Sequence, residues 1–232
     1  MKPIIRWTIG PTSKIGFLSL KLSISCMKKI FENSVDYAIC YNNLNQHQLN
    51  MLPDVDILVN QHEYENIYNC ESPIGPAWKL YPPRLRKEAP EISMDNDLIL
   101  YNRLQKIDDF MHGNFFMITE AYNWSYHGVL KNFLSSNVKI NSGFVCLPPN
   151  YDYQSQISRF IDQFQLNWQH HFSEQTLVAY IFSQKKYTLI NLKEINVCAN
   201  VLDLGQAGLH LVGINKNTSV VGNDFIKSLR FI

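Results

Sequence analysis

The sequence predicts an α/β sandwich with a mainly parallel central sheet flanked by helices, all in one domain. Short apolar runs of strand length alternate with helical patterns, which is typical of parallel sheets. Of the 232 residues, 46% are apolar, enough for one substantial core. No repeat, low-complexity tract or linker divides the chain. Because ligands bind at the carboxyl ends of the strands in open sheets, functional residues are expected there.

The first quarter of the chain alternates strand, helix and strand. Ile4–Ile9 is a short apolar strand that ends at the turn signal Gly10-Pro11. Residues 15–31 place their apolar side chains at helical spacing and predict a helix. Two further strands are predicted at residues 35–41 and 56–59, with a polar loop between them.

The middle of the chain begins with a segment rich in proline and aromatic residues, 72–83, which predicts an ordered loop leading into a short helix at 80–87. Residues 91–100 predict a strand that enters an acidic triplet and leaves it again. Ser173 is a plausible cap for a helix at residues 173–182. Later strands are expected at residues 115–119, 143–147 and 210–213.

Composition excludes some classes of protein. Charged residues make up 18% of the chain and the formal net charge is +1, which argues against a nucleic-acid binder. The five cysteines are dispersed and contain no C-x-x-C pair, which favours reduced thiols in a cytoplasmic compartment. No run approaches the roughly 18 apolar residues needed to span a bilayer, so we expect a soluble protein without a transmembrane segment.

The acidic pair Asp95 and Asp97 is the first candidate functional feature. In an extended chain, side chains at positions i and i+2 point to the same face. Two carboxylates so close repel each other unless a cation bridges them or one is protonated. Their oxygens suit magnesium or manganese, which could neutralise a departing diphosphate. A solvated turn is the alternative, but the strongly apolar residues on both sides favour a site.

Five short motifs resemble, in order, those of the GT-A glycosyltransferases, especially the retaining family 8 group. Asp95-Asn96-Asp97 is similar to the D-x-D of that family, and His210-Leu-Val-Gly213-Ile-Asn-Lys216 to its closing H-x-x-G-x-x-K. Each motif alone has a plain structural explanation, such as a turn or a core histidine, whereas five in order are much harder to dismiss. The other three are Trp78-Lys79-Leu80-Tyr81 with Arg84-Leu85, Asn141-Ser142-Gly143, and Glu174-Gln175.

The resemblance implies a role for each matched residue. His210 would join Asp95 and Asp97 as ligands to manganese or magnesium. Gln175 would lie beside the anomeric carbon and Asn141 would bind sugar hydroxyls, and both are the candidate catalytic residues. Glu174 stands where the family has aspartate, and we assign it no role. The nucleotide-sugar donor would be contacted by Thr8, Lys79, Asn96, Ser142, Gly213 and Lys216.

The predicted function is the metal-dependent transfer of a hexose from a nucleotide diphosphate sugar, by resemblance a uridine-diphosphate sugar, with retention. Residues 1–100 would form the donor half, 101–216 the acceptor half, and 217–232 a tail. The acceptor would be a sugar, a lipid-linked sugar or a protein, with residues 120–127 as candidate contacts. A nucleotidyltransferase of similar fold and a non-catalytic carbohydrate-binding or regulatory module are the alternatives.

Overall fold

The computed structural model describes residues 1–122, 133–134, 138–165, 168, 173–197 and 204–212. Within these residues, ten strands form two sheets. The strands are β1 (Ile4–Ile9), β2 (Asp36–Tyr41), β3 (Ile57–Asn60), β4 (Glu91–Asp95), β5 (Leu98–Leu100), β6 (Phe116–Glu120), β7 (Ile140–Leu147), β8 (Tyr187–Ile190), β9 (Ile195–Val197) and β10 (Gly208–His210).

Helices cover the central sheet on both faces. Two 3-10 helices, Gln61–Tyr64 and Gly75–Leu80, lie between β3 and β4. The α-helices are α1 (Lys14–Phe31), α2 (Gln46–Leu49), α3 (Gln105–His112), α4 (Tyr153–Phe164) and α5 (Ser173–Ser183).

The larger sheet has the strand order β3-β2-β1-β4-β7-β6-β8. Its pairings are parallel except for those of β7, which runs antiparallel to both β4 and β6. The predicted α/β class with a mainly parallel sheet is therefore confirmed. The smaller sheet has the order β5-β10-β9. It pairs β5, which directly follows β4, with β10, which lies near the end of the described residues.

Helix α1 covers one face of the larger sheet. It begins where the Ser13 hydroxyl accepts a hydrogen bond from the Gly16 amide at 3.2 Å, a standard N-cap arrangement. Its apolar side chains recur every three or four residues, so they form one stripe that packs on the core beside Trp7. The buried members of this stripe include Phe17, Leu20, Ile24 and Met27.

The opposite face of the sheet carries polar groups at its strand ends. In β4, Ile92 and Met94 belong to the core under α1. Because side chains alternate along a strand, Glu91, Ser93 and Asp95 point the other way. On that face lie the 3-10 helix Gly75–Leu80 and helix α5, which pack there around a second apolar core. Asp95, at the carboxyl end of β4, therefore faces both of these elements.

Two predicted elements are corrected. No helix runs through residues 80–87; the short helix is Gly75–Leu80, which ends where that range begins. The physical reason is Pro82-Pro83, since proline lacks the amide that a continuing helix needs. The strand predicted at residues 91–100 is two strands, because the chain turns at Asn96-Asp97 and Leu98–Leu100 joins the smaller sheet.

Other elements match more closely or were missed. The predictions for β1, β2, α1, β6 and α5 are within two residues of the observed bounds. The strand predicted at residues 210–213 is Gly208–His210, and Gly213 lies outside the described residues. Helices α2, α3 and α4, the 3-10 helix Gln61–Tyr64 and strands β8 and β9 have no counterpart in the prediction. No described helix combines the length and apolar character needed to cross a bilayer.

Candidate functional site

The Asp95, Asp97 and His210 side chains come together where the two sheets meet. Asp95 is the last residue of β4, and Asp97 lies in the turn before β5. Strand β10 pairs antiparallel with β5, with His210 opposite Leu98. The Leu211 amide donates to the Asp97 carbonyl at 2.9 Å. This strand pairing places His210 beside the turn that holds Asp97, although the two residues are more than a hundred positions apart in the sequence.

The geometry of these three side chains fits a divalent cation. One ligand atom from each lies within 4.8 Å of the others. The Nε2 of His210 is 3.1 Å from Asp97 Oδ1 and 3.4 Å from Asp95 Oδ2. Ligands held about 2.1 Å from one Mg²⁺ at right angles stand roughly 3.0 Å apart. Two carboxylates and an imidazole also suit manganese. These residues could therefore hold such an ion and leave coordination positions open to a substrate.

Lys79 binds the oxygen of Asp95 that faces away from His210. Its Nζ is 2.7 Å from Asp95 Oδ1 and 3.6 Å from Glu174 Oε2. It also donates to Ser142 Oγ at 3.3 Å, and that hydroxyl donates to Glu174 Oε2 at 3.0 Å. The Lys79 ammonium therefore fixes the orientation of the Asp95 carboxylate and links it to Ser142 and Glu174.

An irregularity in β7 aims Ser142 into this cluster. The pairing of β6 with β7 shifts register between Ile118 and Thr119, which pair with Val145 and Asn141 respectively. The extra β7 residues form a bulge, a feature that redirects side chains near functional sites. Within it, the Asn141 side-chain oxygen accepts from the Gly143 amide at 2.7 Å.

Gly143 gives His210 the space that it occupies. A Cβ built on Gly143 would lie 2.5 Å from His210 Cε1 and 2.9 Å from its Nδ1. Real Cβ atoms essentially never come so close. The imidazole ring therefore packs directly on the glycine backbone, and any larger residue must displace it.

We expect Gly143→Ala to weaken Mn²⁺ binding by about tenfold or more, because the new methyl group pushes His210 out of line with Asp95 and Asp97. Isothermal titration with MnCl₂ measures the change. Gly113→Ala is the matched control, since its Cβ would be equally crowded, 2.6 Å from Phe115 Cε1 and 2.7 Å from the Asp109 carbonyl, but at the end of α3 and away from the three ligands. Equal Mn²⁺ affinity in Gly143→Ala and the wild type would contradict the placement of His210 as a ligand.

The charges of the site are strongly coupled. Burial alone would lower the pKa of His210, but Asp97 and Asp95 together raise it to about 9. Burial likewise opposes ionisation of Asp95, yet Lys79 and His210 hold the pKa of that carboxyl well below its usual range. Without a metal, His210 is therefore protonated at neutral pH, held so by its contacts with Asp97 and Asp95. Metal binding must displace this proton.

Glu174 differs from the two aspartates. Burial raises the pKa of its carboxyl to about 7, against the opposing effect of Lys79. It lies at the start of α5 with only 3% of its surface exposed. A carboxyl that is neutral for part of the time can both donate to and accept from a hydroxyl group. This chemistry suits a ligand that carries several hydroxyls.

The metal-free protein should lose stability as the pH rises from about 6.5 to about 9. The folded-state pKa of His210 lies above its ordinary value of 6.5. Its contribution is therefore complete below pH 6.5 and is lost as the pH passes the folded pKa. We expect a loss on the order of 1 to 3 kcal/mol in the free energy of unfolding. Urea unfolding with EDTA between pH 7 and 9.5 measures it. The loss should disappear in His210→Gln, and an identical slope in this variant would contradict the assignment.

The other predicted site residues are less closely joined to this cluster. Thr8 pairs with Asp95 across β1 and β4, and its buried hydroxyl has no hydrogen-bond partner in the described part of the chain. The Asn96 side chain donates to the Gly16 carbonyl at 3.4 Å and anchors the acidic turn to α1. Gln175 follows Glu174 in the first turn of α5. Gly213 and Lys216 lie outside the described residues, as does most of the predicted acceptor segment 120–127.

Sequence reasoning missed two members of the site. Glu174 received no role because the family has aspartate there, yet its carboxyl lies within the Lys79 and Ser142 cluster. Gly143 was noted only as part of a motif. Its position between Asn141 and the strand that follows was a usable signal, because a glycine within a strand pattern often marks a bulge or a close approach.

A groove of about 1170 Å³ lies elsewhere, between residues 83–87 and helix α4. It is at the far end of β4 from Asp95, since the Leu85 amide binds the Glu91 carboxylate there. Arg84, a partly buried arginine of this groove, already donates to the carbonyls of Pro148 and Ala89. None of the predicted site residues that the structure describes lines this groove.

Comparisons with known proteins support the fold. The sequence matches no protein-family model and no curated protein. Galactosyltransferase LgtC, solved with donor and acceptor sugar analogues, is similar with a TM-score of 0.65 at 11% identity over 97% of this chain and 94% of its own. The bifunctional glycosyltransferase WbbM gives 0.63 at 13% identity, covering 98% of this chain and 49% of its own.

Mouse xyloside xylosyltransferase 1 in its apo form gives a TM-score of 0.60 at 9% identity, over 93% of this chain and 99% of its own. At such low identities the similarity establishes the fold. The chain has the GT-A fold, and the resemblance stated from the sequence is confirmed at that level.

Proposed function

We propose that the protein is a metal-dependent glycosyltransferase that uses a nucleotide diphosphate sugar. One observation carries this proposal: the ligand atoms of Asp95, Asp97 and His210 converge within 4.8 Å at the carboxyl edge of a GT-A sheet, beside the partly buried Lys79. A manganese or magnesium ion held there would neutralise the charge that develops on a departing diphosphate.

The donor side is supported by charge. Lys79 lies on the same face of the sheet as Asp95, and both have little exposure to solvent. In such an environment a fixed cation stabilises a developing negative charge far more than it would in water. Uridine as the base and retention of configuration are implied by the resemblance to family 8.

The sugar side is supported by hydrogen-bonding groups. Ser142 and Glu174 bind each other and Lys79, so their oxygens are held in place before any ligand arrives. Such preorganised oxygens are suited to orient the hydroxyls of a hexose. Gln175 and Asn141 are proposed to act next to them, Gln175 near the anomeric carbon and Asn141 on a hydroxyl. We propose Thr8, Asn96, Gly213 and Lys216 as further donor contacts.

The test is a panel of nucleotide sugars offered with MnCl₂, with MgCl₂ and with EDTA, followed by thermal shift and nucleotide release. We expect at least one uridine-diphosphate sugar to raise the melting temperature and to be hydrolysed slowly, in a metal-dependent way. Binding without turnover in the presence of candidate acceptors would favour the non-catalytic module. Release of pyrophosphate from a nucleoside triphosphate would favour a nucleotidyltransferase. No stabilisation by any nucleotide sugar would overturn the proposal.

A further inference from the structure

The segment that carries Lys79 is held by an unusual set of hydrogen bonds. Each of the six consecutive backbone carbonyls of residues 78–83 accepts a hydrogen bond from one of three buried side chains, Arg6, Gln61 and Tyr68. Gln61 Nε2 donates to Trp78 at 2.5 Å and to Tyr81; Arg6 donates to Lys79 at 3.1 Å, Pro82 at 2.7 Å and Pro83 at 3.3 Å; and Tyr68 Oη donates to Leu80 at 3.0 Å.

These three donors replace the partners that a strand or helix would supply. Residues 81–83 belong to no helix or strand, and a buried carbonyl without a partner is costly. Arg6 and Gln61 have 1% and 0% of their surface exposed, and Tyr68 has 5%. Together they form what we call the carbonyl cradle, defined by Arg6, Gln61 and Tyr68.

The cradle is itself anchored to strands of the larger sheet. Gln61 follows β3, and the buried Asn42 follows β2. The side-chain amide of Asn42 donates to the side-chain oxygen of Gln61 at 2.8 Å. Arg6 lies in β1 and pairs with Glu91 of β4, with Nε 3.1 Å from the carboxylate. The cradle thus ties the Lys79 backbone to four adjacent parallel strands, including the strand that ends in Asp95.

We propose that Arg6, Gln61 and Tyr68 are positioning residues that set where the Lys79 ammonium lies relative to Asp95 and Glu174. A lysine side chain has four flexible bonds and is costly to order. When the cradle holds the backbone of Lys79 in place, only the side-chain torsions remain free. The contacts of the ammonium with Asp95, Ser142 and Glu174 then determine those torsions. That this position serves donor binding rests on the proposed function.

Gln61→Met is the direct test, because methionine conserves volume but removes both donated hydrogen bonds. We expect its crystal structure to place Lys79 Nζ more than 4 Å from Asp95 Oδ1, compared with 2.7 Å here. An unchanged position would overturn the proposal, whatever the protein binds. If Gln61→Met does not fold, Gln61→Glu serves in its place, since it has the same shape and presents acceptors to both carbonyls.

A double-mutant cycle separates positioning from a general loss of stability. With uridine diphosphate and MnCl₂ in isothermal titration, we expect Gln61→Met to weaken nucleotide binding by about tenfold. In a Lys79→Met background the same substitution should change affinity less than twofold, because its effect passes through Lys79. Additive losses would overturn the proposal. No nucleotide binding by the wild type would refute the proposed function instead, while the crystal structure would still decide the position of Lys79.

Tyr68→Phe and Tyr37→Phe form a matched pair of controls. Each removes one tyrosine hydroxyl that donates to backbone carbonyls: Tyr68 to Leu80, and Tyr37 to Glu32 at 2.8 Å on the α1 side of the sheet. We expect Tyr68→Phe to weaken uridine diphosphate binding about two- to threefold and Tyr37→Phe to leave it unchanged. Equal effects of the two substitutions would contradict a specific role for the cradle.

Discussion

Asp97→Asn is expected to lower Mn²⁺ affinity by at least 100-fold and to abolish metal-dependent donor binding. Changes to groups that merely support a metal ligand already cost 10- to 100-fold, so removal of a ligand charge should cost more. Asp97 lies 3.1 Å from His210 Nε2 and is 5% exposed. Asparagine has the same shape and should preserve the fold. Isothermal titration with MnCl₂, then with a uridine-diphosphate sugar, measures both losses.

The control is Asp109→Asn, which makes the same chemical change on α3, where Asp109 contacts Gln105. It should leave Mn²⁺ binding unchanged. The melting temperature of Asp97→Asn should stay within a few degrees of the wild type, which would exclude general unfolding. Full metal-dependent donor binding by Asp97→Asn would remove Asp97 from the site.

Lys79→Met is expected to lower kcat/KM for glycosyl transfer without lowering the affinity for Mn²⁺. We expect kcat/KM for glycosyl transfer to fall by roughly 100-fold, the usual cost of losing one preorganised charge that stabilises a transition state. Mn²⁺ alone should bind at least as tightly as in the wild type, because the ammonium lies 2.7 Å from Asp95 and repels a second cation. Methionine keeps an unbranched, flexible side chain that is one atom shorter, and removes the charge together with the hydrogen bonds that the ammonium donates.

The two measurements must be made on the same preparation. Parallel losses of Mn²⁺ affinity and kcat/KM would mean that Lys79 supports the metal ligands structurally and has no separate role toward the donor. An unchanged kcat/KM would remove Lys79 from the donor side altogether. Lys79→Arg helps to distinguish charge from shape, since it keeps the charge but carries a larger, planar head group.

Much of the fold could be predicted from local sequence. Strand β1 follows from an apolar run that ends at a glycine-proline turn, and helix α1 from apolar periodicity; both signals act within a few residues. The helix wrongly predicted at residues 80–87 illustrates the limit. There Pro82-Pro83 prevent a helix. The backbone carbonyls of this segment accept hydrogen bonds from Arg6, Gln61 and Tyr68 instead, and no sequence motif marks these three residues as its partners.

The site shows the same division. Asp95 and Asp97 were recognisable because a strand pattern ends at an acidic pair, and His210 because of an ordered set of motifs. Glu174 could not be assigned from sequence, since its role depends on contacts with Lys79 and Ser142 that only the packing of α5 on β7 creates. The β7 bulge that aims Ser142 is likewise a matter of register between strands, which a single sequence does not determine.

The central claim is that Asp95, Asp97 and His210 hold a metal ion that binds the diphosphate of the donor. Crystals grown with MnCl₂ and uridine diphosphate test it most directly, through the anomalous signal of manganese. The account predicts one strong peak within bonding distance of all three side chains and in contact with diphosphate oxygens. A well-ordered diphosphate with no anomalous peak beside it, or a peak away from these three residues, would contradict the account.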